Sequence, residues 1–247
     1  MRHRYLAVRP NDRPADLTLL CFHHAGAGAM AYAGWQQRVG PGVRVLPVRL
    51  PGRESRLREA HITEGALLIE ELEADLGPLL SGRHAFYGHS LGALVAYRFA
   101  QRRAERGLRP PERLLVGGCP APHLPSAALG VLRPELPDGQ LIAALGDENS
   151  LPGQLLSRPE MLATVLTTLR ADLRLAHSLR SLPVTPLPCP LDAFAGQDDA
   201  LVPAAEIRPW ERCTDARFRF RTVAGAHFFV RGRELPRLVG EALRSSL

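Results

Sequence analysis

Short apolar runs alternate with amphipathic stretches along most of the chain. Leu17-Thr18-Leu19-Leu20-Cys21-Phe22 is nearly continuous in apolar residues, as in a parallel strand buried on both faces. Similar runs at 43–48, 83–87, 113–116 and 191–195 predict further strands. At 217–223, Phe218, Phe220 and Thr222 alternate with arginines, which predicts a strand nearer a sheet edge. A short first strand is expected at 5–8, broken by Asn11-Asp12-Arg13-Pro14. Between these runs the period changes to that of a helix. Leu68, Leu72, Leu76 and Leu79 share one face of a helix expected at 63–80. Leu91, Leu94, Val95 and Phe99 share a face of the next, with Gly107 as its stop. Helices are also expected at 29–39, 203–212 and 234–243.

From about 120 to 188 the alternation lapses. Prolines are frequent (Pro120, Pro122, Pro125, Pro134, Pro137, Pro152) and no strand is evident. Two helices are expected there, at 137–145 and 158–182. The second opens with Ser157-Arg158-Pro159-Glu160, a capping-box pattern, and carries Leu162, Val165, Leu166, Leu169 and Leu173 on one stripe. The pattern therefore predicts one α/β domain over 1–247, a mostly parallel sheet with helices on both faces, and a helical lid insertion at about 120–188.

Composition narrows the partners. A chain of 247 residues with 45% hydrophobic content can bury a substantial core. No apolar run has the length of a membrane span, and Met1-Arg2-His3-Arg4-Tyr5-Leu6 lacks the apolar stretch of a secretory signal, so a cytoplasmic protein is expected. The formal net charge is +6 and all 31 basic residues are arginine. They are spread along the chain without a dense basic arm, which argues against nucleic acid and leaves an acidic protein partner open. Cys21, Cys119, Cys189 and Cys213 show neither Cys-x-x-Cys pairing nor metal-ligand spacing, so free thiols and no metal are expected.

The candidate chemistry lies in three loops. Gly88-His89-Ser90-Leu91-Gly92 stands between a predicted strand and a predicted helix, the setting of a nucleophile elbow. A serine hydroxyl needs a neutral imidazole to take its proton, and the imidazole needs an acceptor that fixes its tautomer. His227 follows the last strand and Asp199 the one before it, giving the order Ser90, Asp199, His227 found in α/β-hydrolases. Asp198 is the alternative acid; Asp192 falls too early, within or before its strand. His89 should point away from Ser90, whereas His24 could line the site. The oxyanion formed in acyl transfer needs two backbone N–H donors. Leu91 follows the serine, and Ala25 lies in the glycine-rich loop after the Leu17–Phe22 run.

Taken together, these motifs resemble the type II thioesterases of polyketide and nonribosomal peptide synthesis, within the α/β-hydrolase superfamily. Cys21-Phe22-His23-His24-Ala25-Gly26-Ala27-Gly28 is similar to their Cys-Phe-Pro-His-Ala-Gly-Gly-Gly loop. Leu50-Pro51-Gly52-Arg53, the elbow, Leu169-Arg170-Ala171-Asp172 and Gly225-Ala226-His227-Phe228-Phe229 have counterparts there too. The departures are His23 for proline, Ala27 and Ala226 for glycine, and Gly146-Asp147-Glu148-Asn149-Ser150 in place of a Gly-Gly-Thr stretch. The resemblance implies an acyl-serine intermediate on Ser90 and a substrate carried on the phosphopantetheine of an acyl or peptidyl carrier protein domain. No bound cofactor and a monomer are also expected, and the composition already argues against a nucleic-acid or membrane partner. A carboxylester hydrolase or lipase on the same fold, and a non-catalytic carrier-binding module, are the competing expectations.

Overall fold

Six strands form one sheet in the order β2-β1-β3-β4-β5-β6, and every neighbouring pair is parallel. They are β1 (Leu17–Phe22), β2 (Val43–Pro47), β3 (His84–His89), β4 (Leu114–Gly117), β5 (Leu191–Gly196) and β6 (Phe218–Val223). The computed structural model describes residues 3–8, 15–145 and 158–244. The expected break at 11–14, the stretch 146–150 and the capping residue Ser157 lie outside them.

Parallel strands need crossovers, and the helices supply them on both faces. One face is covered by α2 (Gly65–Leu76), α3 (Leu91–Glu105) and the C-terminal part of a long helix, numbered α6 below. The other face is covered by α1 (Trp35–Arg38) and the last helix, Glu234–Arg244. Successive strand residues point to opposite faces. Leu20 and Phe22 of β1 therefore join the first core, while Leu19 and Cys21 join the second. Phe86 and Tyr87 of β3 divide in the same way.

Between β4 and β5 lie α4 (Ala127–Val131), α5 (Asp138–Ala144) and α6 (Pro159–Ser181). Leu132, Leu141, Leu166, Leu169 and Leu173 form a separate small core there, against Ala25 and Leu201. The remaining helices are α7 (Ala204–Ile207) and α8 (Glu234–Arg244).

Several expectations are corrected. Residues 5–8 make no strand. A single antiparallel bridge joins Leu6 to Val48, and the Tyr5 N–H is held by Asp75 at 2.9 Å. The helix expected at 29–39 is two pieces, a one-turn 3-10 helix at Ala29–Tyr32 and α1, because Gly34 between them takes φ +76°. The helix expected at 203–212 likewise breaks into α7 and a 3-10 segment, Arg208–Cys213. Pro209 lacks the N–H that would continue it. The short α4 was not expected at all. The four cysteines are buried and unbridged.

Candidate active site

Strand order reverses between β1 and β3, so the loops leaving their carboxyl ends diverge around a crevice. The β1 loop carries His24, Ala25 and Gly26, and β3 runs directly into Ser90. Ser90 has φ +53° and ψ −118°, a strained conformation for a residue with a side chain. The flanking glycines allow it. A Cβ on Gly88 would overlap the backbone of Gly92, and one on Gly92 would overlap the carbonyl of Phe22. Leu91 begins α3, so its N–H has no acceptor within the helix, and the positive end of the helix dipole lies beside Ser90.

His227 and Asp199 are paired. His227 Nδ1 lies 2.9 Å from Asp199 Oδ2. A carboxylate only accepts, so Nδ1 carries the proton and Nε2 is left as an acceptor. The other carboxylate oxygen, Oδ1, accepts from the N–H of Leu201 at 3.0 Å and of Val202 at 2.9 Å. Asp198 is exposed and takes no part in this pairing. Asp192 is within β5 and bonded to Arg113.

Ser90, Leu91, Ala25, His24 and His227 line a common cavity. Among the described residues no hydrogen bond joins Ser90 Oγ to His227, although both line this cavity. Beyond Ser90 the cavity wall is aliphatic, with Leu94, Leu129, Leu132, Leu169, Leu173 and Ala176. Arg180 borders it but gives its guanidinium to the carbonyls of Pro120, Ala121 and Leu124. A second opening, lined by Ala127, Val131, Leu145 and Asp198, also reaches His227. The site therefore combines a hydroxyl, an oriented imidazole and an apolar chamber.

The neighbouring imidazoles are held neutral. Burial pushes His24 down to about 3 and His23 down to about 4. Burial, with His227 and His24 nearby, also drives His89 well below the ordinary histidine range. His89 Nε2 donates to the His227 carbonyl at 2.8 Å and Nδ1 accepts from the Tyr87 hydroxyl at 3.0 Å. The expectation that His89 points away from Ser90 agrees with these contacts. His24 donates Nδ1–H to the Ala25 carbonyl at 3.1 Å, and its buried Nε2 has no protein partner.

Sequence reasoning assigned no role to Tyr87, nor to a buried ion pair between Arg53 and Asp172 under the β1 loop. For the latter a signal existed, since both residues end motifs that carry the family resemblance. Among the described residues, no group of three or more His, Cys, Asp or Glu side chains is arranged to hold a metal ion. No described helix is long and apolar enough to cross a membrane.

A family model described as thioesterase domain matches residues 17–245. The linear gramicidin dehydrogenase LgrE of Brevibacillus parabrevis is 33% identical over 235 residues, covering 94% of this chain and 88% of that protein. Among solved structures, RedJ, a thioesterase from the prodiginine biosynthetic pathway in Streptomyces coelicolor, superposes with a TM-score of 0.84 at 33% identity, covering 98% of this chain and 96% of that one. BorB, the type II thioesterase from the borrelidin biosynthetic cluster, gives 0.80 at 30% identity, covering 98% and 97%.

Proposed function

The chain belongs to the thioesterase domain family, and from that premise we propose that it hydrolyses acyl groups carried as thioesters on the phosphopantetheine arm of acyl or peptidyl carrier proteins. The observation that carries this reading is the Asp199–His227 pair, whose imidazole lines the same aliphatic chamber as Ser90.

Ser90 is the nucleophile and His227 the base. His227 Nε2 takes the hydroxyl proton as Oγ bonds to the thioester carbonyl carbon. The carbonyl electrons move onto oxygen, and the backbone N–H groups of Ala25 and Leu91 receive the resulting charge. Collapse of this intermediate breaks the C–S bond, and the leaving thiolate takes the proton from His227. Water, deprotonated by the same imidazole, then attacks the acyl-Ser90 ester. The second collapse returns the proton to Ser90 and releases the acid. Asp199 holds the tautomer and stabilises the imidazolium that forms in each half-reaction. A fatty or polyketide chain fits the aliphatic wall, and α4 to α6 act as a lid over it.

The name of LgrE includes the word dehydrogenase, but the β1 loop of this chain does not fit a dinucleotide. The Gly26-Ala27-Gly28 loop opens onto a single 3-10 turn, so no long helix faces a pyrophosphate. Its Gly26 N–H is taken by Asp172, and Glu54 stands over Gly28.

On this reading the enzyme works in the cytoplasm as a monomer, without a bound cofactor, and clears stalled or misprimed chains from a synthase. The test is hydrolysis of acyl-loaded carrier proteins, followed by mass spectrometry, against simple oxygen esters. Turnover of the carrier thioesters by the native protein and its loss in Ser90→Ala are expected. A strong preference for oxygen esters would favour a carboxylester hydrolase instead, and carrier binding without Ser90-dependent turnover would favour a binding module.

A further inference from the structure

The Leu50-Pro51-Gly52-Arg53 turn and the Leu169–Asp172 segment of α6 meet directly beneath the β1 loop. Arg53 and Asp172 are 119 residues apart, yet Nη1 and Nη2 of Arg53 lie 2.7 Å from the two carboxylate oxygens of Asp172. This is the planar, two-bond geometry of the strongest ion pairs. Both side chains are almost wholly buried, at 7% and 2% exposure. A buried pair like this gives little net stability over apolar residues of the same size, so its presence invites a role in geometry.

Each partner also holds the β1 loop. The Gly26 N–H donates to Asp172 Oδ2 at 2.8 Å, and Arg53 Nη1 donates to the Ala27 carbonyl at 2.9 Å. The peptide unit joining Ala25 to Gly26 is thus tied at both ends, its N–H by Asp172 and its carbonyl by His24 at 3.1 Å. The preceding unit is tied through the His24 carbonyl, which accepts from the Ala27 N–H at 3.2 Å and from His23 Nδ1 at 2.9 Å. In a trans peptide the N–H points opposite to the carbonyl, so anchoring the His24 carbonyl fixes the direction of the Ala25 N–H. Gly26 takes φ +73°, where rotation is otherwise cheap. An oxyanion donor works only if it is held in place before the charge develops.

We propose that Arg53 and Asp172 are positioning residues that clamp the β1 loop and so fix the Ala25 N–H as an oxyanion donor. This rests on the acyl-transfer reading above. The helix that presents Asp172 also presents Leu169 and Leu173 to the chamber, so one element carries both the chamber wall and the clamp.

The test is the double variant Arg53→Met/Asp172→Leu, which removes both charges and leaves neither buried alone. Two readouts are needed: kcat and KM on an acyl thioester, and inhibition by an alkylboronic acid, whose tetrahedral adduct with Ser90 places an oxygen in the hole. In the folded variant we expect kcat to fall about tenfold to a hundredfold, approaching the loss seen when an oxyanion donor is deleted. Boronate affinity should fall by a similar factor, with KM within about twofold of native. Native kcat and boronate affinity in a folded variant would overturn the proposal, as would a rise in KM alone. If circular dichroism shows the double variant unfolded, Arg53→Lys, which keeps the charge but loses the fork, decides by the same readouts. A native protein that neither turns over thioesters nor binds the boronate would reject the acyl-transfer reading itself, and the clamp with it.

Discussion

His89 Nε2 donates to the backbone carbonyl of His227 at 2.8 Å, so the residue beside Ser90 holds the loop that carries His227. The Tyr87 hydroxyl completes the chain at His89 Nδ1. His89→Phe should leave the His227 carbonyl and the Tyr87 hydroxyl buried without partners, at about 1–3 kcal/mol each. We expect a lower thermal midpoint and a kcat reduced at nearly unchanged KM. A variant with native kcat would show that His227 is held by other contacts.

The pairing of His227 with Asp199 separates two adjacent carboxylates. Asp199→Asn should lower kcat by about ten-thousandfold, as when a triad acid is lost with its geometry retained. Exposed Asp198→Asn should change kcat by less than about threefold, since the hydrogen bond to His227 Nδ1 comes from Asp199. The reverse ranking in steady-state assays would reassign the acid.

Three buried imidazoles make stability depend on pH. His23, His24 and His89 are held below the ordinary histidine value of 6.5, with burial the largest cause. In the unfolded chain each takes a proton near that ordinary value, while the native state does not. Their contribution is therefore complete above about pH 6.5 and is lost as the pH falls, by up to about 1.4 kcal/mol per pH unit for each. The loss ceases once the native state also protonates, at about 4 for His23 and about 3 for His24. Urea unfolding at pH 7.5 and 5.0 should show the decline, and His23→Gln should make it shallower. Equal stability at both values would contradict the neutral burial of these rings.

Close backbone approach dictates the elbow glycines. A Cβ on Gly92 would overlap the carbonyl of Phe22, whereas one on Gly139 meets open space. Gly92→Ala should cost at least the roughly 1–3 kcal/mol of an overpacked core. Gly139→Ala should add about 0.4–1 kcal/mol by restricting the unfolded chain. Thermal melts of the two variants check both signs.

Ala176 offers a handle on chain length. It is buried and lines the aliphatic chamber. Ala176→Phe should fill part of that space and reduce kcat/KM for decanoyl thioesters about tenfold or more relative to acetyl thioesters. An unchanged ratio would mean that long acyl chains lie elsewhere, such as in the opening lined by Val131 and Leu145.

Most strands were legible because continuous apolar runs are a local property, and β1 to β6 fall within about two residues of their expected places. The Tyr5–Val8 segment misled for the complementary reason. Tyr5 and Leu6 do pack, while Val8 is exposed, but a strand needs a partner backbone, and only one bridge forms. The interruption at Gly34 was equally hidden, since a glycine within an apolar stretch does not declare its φ.

The sequence by itself determined the α/β alternation, the elbow around Ser90 and the order Ser90, Asp199, His227, because periodicity and glycine spacing are written in neighbouring residues. Tertiary structure decided what depends on groups far apart in the chain. It paired Asp199 rather than Asp198 with His227, turned His89 into a support for the His227 loop, and brought Arg53 to Asp172 across 119 residues. The physical reason is that burial and hydrogen-bond direction, unlike periodicity, exist only once the sheet has gathered its loops at one edge.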